Sequence, residues 1–319
     1  MLHELLSDAD DEARVEASKA LGAIREPEMQ EQLIRLLYDR SPQVVRESIL
    51  AISRRVGRDG FNPMYVPTLI SLLHDRRLKQ DAREALVAFG EPVIPALVHF
   101  MSAEDEPLWV RRGLPKTIAR IGTPRAAEAL VGPLAEFEDR FLRRKVIEAL
   151  GHLAADGALE EHTEAIEAAV QVELGHYYEA LQRLITIGIE GKGGLSGPEV
   201  DWSGGEIEPG LLEKLLGERM SEHLRSIFGL LALLHPPKDI WAAYRSLQST
   251  QAAVRNNALE YLDNTLSASV RQLVSPILDN RPLSEKIKHA ESVRGETVES
   301  TTALLQELLQ QDDEHEEEN

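Results

Sequence analysis

Apolar residues return at i, i+4, i+7 and i+8 in six stretches of the chain, each opening on an apolar residue followed by a polar, mostly basic one. The frame begins at Ala13 (ARVEASKALG) and recurs at Val45 (VRESILAI), Leu78 (LKQDAREAL), Val110 (VRRGLPKTI), Leu142 (LRRKVIEALG) and Val254 (VRNNALEYL). The first five starts are 32, 33, 32 and 32 residues apart, and the sixth follows 112 residues after the fifth. This spacing places the apolar residues on one face of an α-helix. A shorter apolar helix is expected ahead of most frames, at 28–38, 63–74, 91–102 and 124–137, and at 236–247 before the last. Turn chemistry separates the members of each pair. Asp39-Arg40-Ser41-Pro42 offers a cap with proline at the first helical position, and Ser249-Thr250 offers a similar cap, without the proline, before 251–265. Gly57, Gly90, Gly122 and Gly151 are read as left-handed C-caps, where the lack of a Cβ removes the steric penalty. Pro115 falls inside the fourth frame and predicts a kink or a delayed helix start. No stretch alternates with period two, so no strands are expected.

A single hairpin cannot bury its apolar face, whereas stacked hairpins shield one another. The pattern therefore predicts an all-α protein, an α-solenoid of about six to seven helical hairpins. The period lapses between 152 and 250, where two longer helices replace the short ones. Ile166, Val170, Leu174, Tyr177, Leu181, Leu184 and Gly188 predict one over 159–190, about 45 Å long. Leu212, Leu216, Met220, Leu224, Ile227, Leu231 and Leu234 predict the other over 209–234. Residues 191–208 join them and contain six glycines among 18 residues. A connection that long is either functional or unstructured, and Trp202 is its candidate apolar anchor. The expected organisation is repeats over 1–157, a long-helix hairpin over 158–235, further repeats over 236–311 and an acidic tail at 312–319.

Composition narrows the chemistry. The 319 residues include no cysteine, which excludes disulfides, thiol nucleophiles and cysteine-ligated metals. Net charge is 35 − 54 = −19, and the six acids of 312–318 account for part of it, leaving 35 − 48 = −13 without them. Nucleic acid and anionic lipid are thus disfavoured partners over most of the surface. No apolar run approaches the ~20 residues that cross a bilayer. No basic region followed by an apolar one opens the chain, so no secretory leader is expected. A cytoplasmic protein without direct membrane insertion is the resulting expectation.

The frame, with Val-Arg opening the second helix and Ala-Leu-Gly near its end, resembles HEAT repeats, including the lyase-type HEAT-like variety. This likeness covers most of 1–155 and 236–280. Segments 81–90, 111–121, 143–150 and 228–263, above all NALEYLDNTL at 257–266, also resemble the HEAT region of bacterial ATP/ADP-translocase-like nucleotide transporters. The resemblance implies a protein-interaction solenoid, with a membrane-transporter domain in the same or a neighbouring chain as one partner. Transport itself does not carry over, for want of a membrane span. Met1-Leu-His-Glu-Leu-Leu6 reads as the stub of a first helix, which suggests a piece of a longer protein or a stand-alone relative.

Basic residues fall on the second and third frame positions: Arg46, Lys79, Arg111, Arg112, Arg143, Arg144 and Arg255. Stacking would align them as a stripe along one ridge. The stripe is either a groove for an acidic segment, phosphate or nucleic acid, or a ladder of ion pairs. Asp39, Glu104 and Glu136, seven residues ahead of Arg46, Arg111 and Arg143, supply partners for the ladder. The doublets Arg111-Arg112 and Arg143-Arg144 exceed what one turn partner satisfies. Glu173-x-x-His176, with Glu179 and with Glu222-His223 on the neighbouring helix, has the residue types of a carboxylate–histidine metal site. Only one Glu-x-x-His is present, so surface or packing histidines, no metal and no cofactor are expected. His3-Glu4 and His315-Glu316 do not fall at equivalent repeat positions, unlike the ligands of the metal-binding hydroxylases built on HEAT repeats. No GxSxG elbow occurs. The expectation is a non-enzymatic scaffold for protein partners, with a HEAT-like chromophore lyase and a nucleic-acid-binding solenoid as the alternatives.

Overall fold

A computed structural model describes residues 10–24, 28–154, 159–186, 211–278 and 286. The loop 191–208 with Trp202, the segments 1–6 and 297–310, and the tail 312–319 lie outside these residues. The chain forms two units, Met1–His162 and Thr163–Asn319. Every regular element among the described residues is helical.

The first unit contains α1 (Asp11–Ala23), α2 (Glu28–Leu36), α3 (Pro42–Asp59), α4 (Val66–Ser71), α5 (Lys79–Ala88), α6 (Ile94–Ser102), α7 (Leu108–Gly113), α8 (Pro115–Ala119), α9 (Pro124–Val131) and α10 (Arg140–Leu153). The frame helices touch in succession, α1 on α3, α3 on α5, α5 on α8 and α8 on α10. The shorter helices α2, α4, α6 and α9 each pack on the frame helix that follows. This is the HEAT-like stack of hairpins that the periodicity predicts. Its core consists of the frame residues themselves: Leu21, Ile49, Leu86, Leu114, Val146 and Leu150 are fully buried.

Local chemistry sets the helix ends. Asp10, Thr123 and Asp139 accept hydrogen bonds from the backbone N–H groups of Glu12, Ala126 and Phe141, at 3.1, 3.3 and 2.8 Å. Pro42 occupies the first position of α3, as expected, although Ser41 makes no side-chain cap bond. Pro115 divides the fourth frame helix into α7 and α8, because it has no N–H to donate. Gly90 and Gly122 take left-handed conformations at φ 65° and 74°. Two expected caps move. Gly57 lies inside α3, which runs on to cap at Gly60 (φ 80°), and Gly151 lies inside α10. Apolar packing on the neighbouring hairpin carries these helices past a glycine that costs only about 1 kcal/mol.

Close approach, rather than a turn, explains one further glycine. A Cβ on Gly22 would lie 2.9 Å from Ala51 Cβ and 3.1 Å from its Cα, so α1 and α3 meet there almost backbone to backbone. In the same interface the buried Ser18 and Ser48 hydroxyls satisfy each other at 3.1 Å. Gly22→Ala is expected to lower stability by about 1–3 kcal/mol through overpacking, read as a fall in the urea midpoint. An unchanged midpoint would mean that this interface yields freely.

The second unit contains α11 (Thr163–Thr186), α12 (Leu211–Leu234), α13 (Pro237–Leu247), α14 (Ala252–Thr265) and α15 (Ala268–Leu278). The predicted long helix does run straight through Gly175. Ile166, Val170, Leu174, Tyr177, Leu181 and Leu184 are all buried, as are Leu216, Met220, Leu224, Ile227 and Leu231 on α12. Contacts pass from α11 to α12, α13, α14 and α15, and α15 returns to α11. There Ser267 and Ser269 donate to Glu167 at 2.8 and 3.3 Å. No single helix among the described residues is long and apolar enough to cross a membrane. The bent pair Lys79–Ala88 and Glu91–Ser102 (106°) reaches that mark only when its halves are added together.

Candidate functional site

The predicted basic stripe resolves into three kinds of contact. One is an ion-pair ladder that crosses between repeats. Arg14 binds Asp39 through Nε and Nη2 at 2.8 and 2.9 Å, Arg46 binds Asp81 at 2.8 Å, and Arg112 binds Asp139 at 2.8 and 3.2 Å. Asp39 was expected to serve Arg46; stacking instead brings it to Arg14, on the preceding frame helix. Burial pushes the Asp139 carboxyl upward, but the Arg112 hydrogen bond and charge and the N–H groups of Phe141 and Leu142 outweigh it, so the pKa ends below the ordinary aspartate value.

The second kind staples backbone. Arg143, only 4% exposed, donates to the Phe137 carbonyl six residues upstream, and Arg255 donates to the Ser249 carbonyl, also six upstream, at 2.7 Å. Arg111 reaches the Met101 carbonyl at 3.1 Å. Buried Arg55, outside the stripe, likewise closes α1 by donating to the carbonyls of Leu21 and Ile24. The third kind is cation–π. Arg112, Arg140 and Arg144 stand 4.8, 4.7 and 5.3 Å from the Phe141 ring centroid, and half-exposed Arg144 also lies 3.9 Å from Glu148.

The ladder breaks at α5 and α8. Lys79 and Arg83 are one turn apart on α5; Lys116 and Arg120, each 37 residues further on, repeat that spacing at α8. Asp81 lies between the first two in sequence but pairs with Arg46 on the preceding frame helix. Among the described residues Lys79, Arg83 and Lys116 form no ion pair, and exposed Arg120 has only Glu84 at 3.9 Å. Arg83 is 5% exposed, and its Nε donates to Thr117 Oγ1 at 3.2 Å. Burial first, then the Arg120 charge, lowers its pKa; burial, followed by Arg83, Lys116 and Arg76, lowers that of Lys79. Like charges thus crowd where carboxylates stand elsewhere on the ridge. The stripe had picked out Lys79 alone. The missed signal is the pair of basic residues four apart, repeated in the next hairpin.

In the second unit Glu173, His176 and His223 converge. His223 Nδ1 lies 2.7 Å from Glu173 Oε2, and the two imidazoles stack with centroids 5.4 Å apart and planes 21° from parallel. Glu179, which the sequence grouped with them, pairs with Arg183 at 2.8 Å.

Residues 1–87 and 66–151 match the HEAT repeats family. Two crystal structures of engineered proteins are similar to the chain. The first is 19% identical, covers 71% of this chain and 96% of its own, and gives a TM-score of 0.31. The second is 16% identical, covers 91% and 80%, and gives a TM-score of 0.28. No curated protein matches.

Proposed function

We propose that this HEAT-like chain is a protein-interaction scaffold whose frame-helix ridge receives an acidic segment of a partner at the exposed Lys79, Lys116 and Arg120, with the charge of the buried Arg83 adding to their field. The observation that carries this reading is the break in the ladder. Arg14, Arg46 and Arg112 each have a carboxylate at 2.8 Å, whereas four cations at α5 and α8 share one distant glutamate. A buried guanidinium is costly without a counter-charge, and a chain of net charge −19 has acids to spare. Here Asp81 is taken by Arg46 and Glu84 stands 3.9 Å from Arg120, and the excess of cations that results supports a surface kept for carboxylates from outside. Arg46, Arg111, Arg112, Arg143, Arg144 and Arg255 support the reading indirectly, by fixing the ridge; Arg46 and Arg144 retain enough exposure to extend it.

The test is a fluorescence-anisotropy titration of the full chain with a Glu-rich peptide. Binding is expected to weaken with added salt and to fall roughly tenfold or more in Lys79→Glu/Lys116→Glu, since both side chains are exposed and reversal replaces attraction by repulsion. Equal affinity in the variant would remove this surface from the function. The resemblance of 228–263 to the transporter-attached HEAT region favours a membrane-transporter domain as a partner and a cytoplasmic location. Co-purification of such a domain with the full chain, lost in the same variant, would join the two readings. Loss on deleting 191–208 would instead assign partner capture to the loop and Trp202.

A further inference from the structure

The long-helix pair brings one carboxylate and two imidazoles to a single point. Glu173 and His176 are three residues apart on α11, so one turn sets them on the same face. His223 reaches them from α12, 50 residues after Glu173. One ligand atom from each of the three lies within 4.8 Å of the others. Glu173 is 2% exposed and the His223 side chain 11%, while His176 is half-buried and leaves a side open to solvent.

We propose that Glu173, His176 and His223 bind a zinc-class divalent cation that clamps α11 to α12. Two imidazoles and one carboxylate are a donor set that zinc takes, with a fourth position left to water. Hard cations such as calcium and magnesium prefer all-oxygen shells, and soft cuprous ion prefers sulfur. In a tetrahedral shell with bonds of about 2.0–2.2 Å, neighbouring ligand atoms stand roughly 3.4 Å apart. The Glu173–His223 pair, now 2.7 Å apart, therefore opens by less than about 1 Å, and His176, whose ligand atom lies within 4.8 Å of the other two, closes by up to about 1.4 Å. Side-chain rotation covers displacements of that size. The sequence contains half of such a site in Glu173-x-x-His176; the other half comes from the packing of α12.

The experiment uses the full chain, stripped with a chelator and titrated with Zn²⁺ by calorimetry and with Co²⁺ by visible absorption. One equivalent per chain is expected, with a rise in melting temperature and a cobalt spectrum of four-coordinate type. His176→Ala and His223→Ala should each lower Zn²⁺ affinity by at least about 100-fold. His152→Ala, exposed on α10, should leave it unchanged. His176→Ala removes a half-buried side chain, so a native melt without metal identifies loss of a ligand rather than of the fold. Absence of saturable binding, or affinity unchanged in both triad variants, would mean that the three residues are a hydrogen-bonded cluster only and would overturn the proposal.

Discussion

Asp39→Ala is expected to destabilise the first unit by about 3–5 kcal/mol, the largest effect of any single charge removal on the ridge. The carboxylate does two jobs. It accepts both nitrogens of Arg14 in a fork, and it accepts the Ser41 N–H at 2.8 Å at the start of α3. Arg14 is 5% exposed in its side chain and Asp39 12%, so the alanine variant leaves a charge in the interior. Asp11, another of its partners, is half in solvent and screens it weakly. Replacing Arg14 by methionine in the same chain should recover much of the loss, because the buried charge departs with its partner. Urea unfolding of the single and double variants measures both numbers. A double variant no more stable than Asp39→Ala would show that the cap at Ser41, and not the ion pair, carries the effect.

The same pair gives a pH dependence of known sign. Burial raises the Asp39 pKa, but the Arg14 bonds and charge and the Ser41 N–H outweigh it, leaving the folded value below the ordinary one; Asp139 behaves alike through Arg112. Groups lowered on folding bind more protons when unfolded, so their contribution is complete above the ordinary aspartate range and is lost as pH falls through the lower folded value. Acid should therefore unstack the first unit, and Asp39→Asn should flatten that limb.

Phe228→Ala is expected to cost about 3–5 kcal/mol in the second unit, combining lost transfer energy with a cavity. Phe228 is fully buried on α12, and its ring lies 5.0 Å from Tyr244 on α13, which in turn meets Trp241 edge-on at 5.6 Å. This contact ties the long-helix pair to the hairpins that follow. Phe228→Leu should lose far less, since it keeps most of the volume. Trp109→Ala offers the contrast. That side chain is 42% exposed beside His74, and truncation should stay within about 0.5 kcal/mol. Melting curves of the three variants decide it; equal losses for Phe228→Ala and Trp109→Ala would contradict this account of the core.

The sequence alone determined the helices, their pairing and their buried faces. Those depend on the 3.6-residue period and on local chemistry: Pro115 divided its helix as expected, and the apolar ladder from Ile166 to Leu184 is buried as counted. Even so, local rules misplaced the caps at Gly57 and Gly151, where packing on the next hairpin outweighs a glycine's modest cost. Only the tertiary structure decided which charges meet. Asp39 serves Arg14, 25 residues back, and Glu173 meets His223, 50 residues on. A period says which way a side chain faces on its own helix. What it faces depends on the rotation and offset between helices, which are fixed when separate apolar faces close on one another.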